Sequence, residues 1–161
     1  MSLLRIVLFL MFATATAAAA QTDIALGGIQ ADSSAPVEIT ADSLSVDQET
    51  GIAAFSGNVL ITQGELRLSA GSVEVVYDDD SGDITRLIAS GGVTFVTATD
   101  AAEAQTAVYD LADNTLNMTG DVLITQGRSA IAADSMRVNL ATGKAQLDGR
   151  VRTTLTQQDN N

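Results

Sequence analysis

The chain has no cysteine and no histidine. Those two absences remove disulfide scaffolding, thiol nucleophiles, imidazole general bases, and the usual zinc, haem and iron–sulfur ligand sets. Tryptophan is absent, proline occurs once (Pro36), and aromatic residues make up 4 % of the 161 positions. A core built from so few rings must rest on aliphatic packing. The one lysine, Lys144, leaves a Ser-Lys hydrolase almost nothing to draw on. Eight basic residues stand against 20 acidic ones, a formal net charge of −12. A chain so short of positive charge has no patch for nucleic-acid phosphates.

The first 23 residues, MSLLRIVLFLMFATATAAAAQTD, read differently from the rest. One charge at Arg5 precedes a bulky apolar run from Ile6 to Phe12, and small residues then lead to Ala18-Ala19-Ala20. That is the layout of a secretory signal peptide with cleavage between Ala20 and Gln21. A spanning helix needs about 20 strongly apolar residues, and the bulky part stops well short of that. The expected division is a cleaved signal at 1–20, a flexible segment at 21–34, one β-domain at 35–156 and a disordered tail at 157–161. Loss of Arg5 brings the mature charge to about −13, from 20 acidic and seven basic residues.

Within the domain the string VLITQG occurs twice, at Val59–Gly64 and Val122–Gly127. Aligning the two copies exposes a longer unit used four times, opening at Ala41, Ala70, Ala104 and Ala133. Each unit carries alternating apolar residues, turns, and returns through Gly57, Gly91, Gly120 or Gly149 into a second alternating run. The second unit has five extra residues at its turn, so the opening alanines lie 29, 34 and 29 apart. A period of this size marks supersecondary units stacked along an axis. The period of 2 inside each unit marks strands. Gly51, Gly82, Asn114 and Gly143 fall at the expected turns and tolerate positive φ.

Each run is about twice the usual strand length of roughly 5–6 residues and is interrupted by Gly or small polar residues, the mark of a bulge or bend. Eight runs, each bent once, predict about 16 short antiparallel strands in two facing sheets: a jelly roll lengthened copy by copy and open at both ends. Unpaired edges at either end would suit head-to-tail self-association by strand addition.

Chemistry is sparse. Asp80-Ser81-Gly82 resembles an aspartic-peptidase signature but sits in a turn insertion, DDDSGD, without the facing carboxylate such enzymes need. The same run offers Asp78, Asp79, Asp80 and Asp83 to a cation, yet the spacing misses the calcium-loop pattern and lacks a distal glutamate. A polar hairpin tip is the plainer reading. No catalytic residue, cofactor or metal is expected, and the chain reads as a non-enzyme.

What remains is the inner face, lined by Val37, Ile39, Leu44, Val46, Phe55, Val59, Ile61, Leu66, Leu68, Val73, Val75, Phe95, Tyr109, Leu111, Met118, Ile124 and Met136. Two readings stand: a packed core, or an apolar groove whose halves can part. Alanines at inner slots such as Ala53, Ala107 and Ala145 make the interior thinly furnished.

The residues Pro36–Asp47 (PVEITADSLSVD) and Phe55–Gly64 (FSGNVLITQG) resemble the OstA-like, LptA-type family of Gram-negative lipopolysaccharide transport proteins. The resemblance runs from about Ala35 to Thr156. It implies a periplasmic β-jelly-roll that takes lipopolysaccharide through LptC at the inner membrane and passes it toward LptD in the outer membrane. Copies would join head to tail into one groove holding lipid A acyl chains. It places Val37 and Ile39 at the mouth, with Phe95, Tyr109 and Leu111 inside. All the inner-face positions except Leu66 and Leu68 are taken as candidate groove residues. The rival class is a structural β-repeat that polymerises through its edges and binds no lipid.

Overall fold

The computed structural model describes residues 23–25 and 34–154. The signal peptide, the Ala20–Gln21 cleavage point and the 157–161 tail lie outside the described residues. The described residues form eleven strands: β1 (Asp23–Ala25), β2 (Glu38–Thr40), β3 (Ser43–Asp47), β4 (Ile52–Gln63), β5 (Leu66–Tyr77), β6 (Ile84–Val96), β7 (Asp100–Asp110), β8 (Thr115–Gln126), β9 (Ser129–Asn139), β10 (Lys144–Asp148) and β11 (Arg152–Thr154). All pairings are antiparallel, and β4 to β10 follow one another in simple meander order. Gly51, Gly82, Asn114 and Gly143 take positive φ at the turns the sequence assigned to them.

The strand count differs from the expected sixteen, and the hydrogen-bonded unit is one sheet rather than two. The reason lies in the bends. β4 to β9 each run 11–13 residues and pass through a register shift near the middle, between Ser56 and Val59 in β4 and between Thr119 and Val122 in β8. A bulge creases a strand without breaking its continuity.

At four creases a glycine and the residue after it both take positive φ: Gly57-Asn58, Gly91-Gly92, Gly120-Asp121 and Gly149-Arg150. Three of them are clasped by a side chain from the neighbouring strand. Asn58 Nδ2 donates to Asp42 Oδ2 at 2.7 Å, Gln105 Nε2 to Asp121 Oδ2 at 2.9 Å, and Arg150 Nε to Asp134 Oδ1 at 2.8 Å. A Cβ on Gly57 would meet Asp42 Oδ2 at 2.5 Å, so this crease requires glycine on steric as well as conformational grounds. At the fourth, Gly71 and Gly91 approach backbone to backbone, and the Ser72 and Ser90 hydroxyls beside them are hydrogen-bonded at 2.9 Å.

The creases line up as a spine, dividing the ladder into two halves. One half holds β3, residues 52–56, 72–77, 84–90, 106–110, 115–119 and 135–139, and β10. The other holds β2, residues 59–63, 66–70, 93–96, 100–104, 122–126 and 129–133, and β11. Hairpin tips occupy the side away from the spine. Alternate residues on both halves point to one apolar cluster of 26 buried residues, eight of them alanine. Large side chains sit beside small ones, as Phe95 pairs with Ala102 and Met118 with Ala107. That pattern fills a core at normal density despite the shortage of aromatics. Asp23–Ala25, in the stretch expected to be flexible, pair with β10 and cover its outer edge.

Candidate lipid-binding interior

Of the candidate groove residues, nine are fully buried in the cluster: Val59, Ile61, Val73, Val75, Phe95, Tyr109, Met118, Ile124 and Met136, none more than 5 % exposed. Four are half-buried: Val37, Ile39, Phe55 and Leu111. The remaining two behave otherwise. Leu44 is 56 % and Val46 62 % exposed. Their register explains why. Leu44 pairs with Phe55 and Val46 with Ala53, so both continue the inner row that runs on through Val73 and Val75. They point inward, but β3 is the last strand of its half, and among the described residues nothing beyond it covers them.

Val37, Ile39, Leu44, Val46 and Phe55 thus form an apolar mouth at the β2/β3 end, continuous with the buried row behind it. The opposite end is shut. Ala145 and Leu147 on β10 are 1 % and 9 % exposed, and Leu140, just past β9, is buried with its N–H donated to Asn114 O at 2.8 Å. The inner-row sequence reading omitted Leu140, Leu116 and Leu87, all buried. Leu116 and Leu87 lie in the same alternation as named neighbours and were recoverable from period 2 alone. Leu140 follows the strand but keeps the parity of Met136 and Val138, so it was recoverable in the same way.

One buried side-chain hydrogen bond crosses the interior. Tyr109 Oη donates to Gln63 Oε1 at 3.0 Å, and Gln63 Nε2 donates to Ala35 O at 3.1 Å. Tyr109 lies on β7 and Gln63 on β4, three strands apart in the ladder and in different halves. They can meet only because the creased sheet folds over itself. Both lie near the hairpin tips, so the bond closes the side opposite the spine. Burial raises the Tyr109 phenol above its ordinary value, which keeps it a donor at any physiological pH.

The acidic turn at Asp78–Asp83 is satisfied internally. Asp78 Oδ1 accepts from the backbone N–H of Asp80 at 3.0 Å and Ser81 at 2.9 Å, and these bonds hold the Asp78 carboxyl below its usual range. Asp47 caps Glu49 and Thr50 in the same way in the turn before β4. Asn139 does so with its amide, accepting from Ala141 at 3.1 Å and Thr142 at 3.0 Å. The repeat therefore carries an Asx turn at corresponding hairpin tips.

Comparison with known proteins agrees with this architecture. The family model described as LptA/(LptD N-terminal domain) LPS transport protein matches residues 38–144. An uncharacterized protein of Rhizobium meliloti (strain 1021) is 31 % identical over 156 residues, covering 89 % of this chain and 84 % of that protein. The lipopolysaccharide export system protein LptA of Escherichia coli (strain K12) is 27 % identical over 116 residues, 67 % of this chain and 62 % of LptA. Among solved structures, LptH of Pseudomonas aeruginosa, described as the LptA homologous periplasmic component of the conserved lipopolysaccharide transport device, superposes with a TM-score of 0.70. That match has 16 % identity and covers 79 % of this chain and 99 % of LptH. The family match spans most of the domain, from β2 through the turn before β10, and the shared fold runs with it: this chain belongs to the LptA/LptD N-terminal family of lipopolysaccharide transport proteins.

Proposed function

We propose that this chain is a periplasmic carrier that holds lipopolysaccharide by its acyl chains between the two halves of the creased sheet and passes it toward the outer membrane. In this reading the halves act as two facing sheets hinged at the spine, with LptC handing lipid on at the inner membrane and LptD receiving it at the outer. Copies would join head to tail, the β2/β3 edge of one against the β11 edge of the next. No bond is made or broken, so the function asks for no catalytic group.

The observation that carries the reading is the mouth. Leu44 and Val46 extend the buried inner row into solvent at one end only. An acyl chain laid along that row gains about 0.8 kcal/mol for each CH₂ removed from water. Phosphates on the headgroup gain nothing from a protein of net charge −12 and would stay outside. The packed rows behind the mouth then open by parting of the halves, which the Tyr109–Gln63 bond resists and the alanine-rich contact favours. A conduit needs such a shallow hold, since the lipid must move on.

The test is lipopolysaccharide binding by monomeric protein carrying Leu44→Asp and Val46→Asp, with the outward-facing Leu123→Asp as control. The two mouth changes should weaken binding at least tenfold and leave the fold intact, while the control binds normally. Equal binding by all three would contradict the reading. A β-repeat that polymerises without lipid would show no binding in the parent protein and a loss of self-association in the mouth variant.

A further inference from the structure

The inner row of β7 begins on a carboxylate. Asp100, Ala102 and Ala104 are buried, while Ala101 is half-buried and Glu103 is exposed, so Asp100 shares the apolar face. Its place in the ladder is informative. Gln63 pairs with Leu66 across the turn between β4 and β5, and Thr97 takes the carbonyl of Asp100 across the turn between β6 and β7. Asp100 therefore occupies the slot that Leu66 fills one hairpin earlier. Leu66 is 4 % exposed and Asp100 3 %. The same slot holds the core leucine Leu66 at the β4/β5 tip and the half-buried Ser129 at the β8/β9 tip, so of the three only Asp100 buries a carboxyl group there.

Its local bonds account for all but one atom. The Asp100 N–H donates to Thr97 Oγ1 at 3.1 Å, its carbonyl accepts from Thr97 N at 2.9 Å, and Oδ2 accepts from Thr99 Oγ1 at 2.9 Å. Oδ1 is buried and has no hydrogen-bond partner among the described residues. The carboxylates of Asp47 and Asp78 each cap two backbone N–H groups in their turns; that of Asp100 caps none. An orphaned buried acceptor is costly, and native structures rarely keep one without a use. The next two residues of its row, Ala102 and Ala104, are small, and Ala102 pairs with the buried Phe95.

We infer that Asp100 Oδ1 is a binding acceptor for a neutral N–H or O–H donor at the head end of an acyl chain, the amide or the β-hydroxyl of an acylated amino sugar. It sits at the tip side of its half, where the chain would leave the apolar interior for solvent. The carboxylate accepts such donors and repels phosphate, so it sets the ligand's depth as well as its direction. The inference rests on the interior being a lipid groove, as proposed above.

Three neutral probes separate the possibilities: methyl β-hydroxymyristate, N-methylmyristamide and methyl myristate, each titrated against the mature protein by displacement of a fluorescent fatty-acid analogue. At least one donor-bearing probe should bind about tenfold tighter than methyl myristate, the scale of one hydrogen bond to a charged group. Which of the two does so identifies the donor. In Asp100→Ala that preference should fall to unity, with methyl myristate affinity within about twofold of the parent. Should the alanine variant not fold, Asp100→Asn should cut the preference at least threefold. No preference in the parent protein, or one that survives these substitutions, overturns the assignment and leaves Asp100 as a turn residue. Failure of all three probes to bind overturns the groove itself.

Discussion

The two ends of the sheet are built from the same repeat and finish differently. At the β2/β3 end, the inner residues Leu44 and Val46 lie in register with the core yet face solvent. At the other, Ala145 and Leu147 on β10 are buried, Leu140 fills the gap beyond β9, and β1 pairs along the outer edge of β10. An apolar pattern therefore does not itself decide burial in a stacked fold. Each copy buries its row against the next, so the copy with no neighbour shows its row to water. The difference gives the molecule a direction, with one end receptive and one end shut.

Side-chain truncation should expose that contrast most sharply. Phe95→Ala, in the middle of the row, is expected to cost about 3–5 kcal/mol in urea unfolding, whereas Leu44→Ala should cost no more than about 0.5 kcal/mol. Comparable losses would mean that the mouth is not open in solution. Next come the creases. Gly57→Ala forces a Cβ into Asp42 as well as an unfavourable positive φ, and about 2–3 kcal/mol is expected; Gly92→Ala meets nothing within 4 Å and should lose only about 1 kcal/mol.

Tyr109→Phe should remove about 1 kcal/mol, because Gln63 Oε1 loses its donor in a buried site. The same variant reports on pH. The folded phenol binds its proton more tightly than the unfolded one, so its contribution is complete below about pH 10 and fades as pH rises through the raised folded value. Thermal unfolding of the parent protein should therefore lose more stability above about pH 10 than that of the phenylalanine variant. Parallel curves would argue against the buried bond.

The smallest effect concerns the hairpin tips. The Asp47 and Asp78 carboxyls are depressed by the backbone N–H groups they cap, so their support is present above about pH 4 and is lost as pH falls through the depressed folded values. Asn139 makes the same turn with an amide that does not titrate. On acidification, protection factors (measured rates referred to the intrinsic rate at each pH) should fall at residues 48–51 and 79–83 while those at residues 140–143 hold. Uniform loss across all three tips would show that a global transition, not the caps, is responsible.

Much of this was legible in the sequence, because the repeat sampled each structural position four times. Alternation placed Val73, Val75, Phe95 and Tyr109 correctly on the inner face, and the turn glycines fell where positive φ was needed. Three features were not legible. The sheet is continuous because a bulge bends a strand without ending it, and residue types at a bend do not tell the two apart. Leu44 and Val46 carry the same apolar letters as their buried equivalents; they are exposed because no described strand lies beyond β3. The long-range bond between Tyr109 and Gln63 depends on how the creased halves fold over, which period 2 leaves unspecified. Aligning the hairpins on their tips would set Asp100 level with Leu66 and Ser129, and so single out an acid on the inner row.

The most direct test of the central claim is a photo-reactive residue in place of Phe95, with the outward-facing Glu74 as control, in mature protein illuminated with lipopolysaccharide. An internal lipid groove predicts adducts at Phe95 and none at Glu74. Adducts at neither position, in protein shown to be folded, would mean that the interior stays a closed core and that the chain does not carry lipid between its halves.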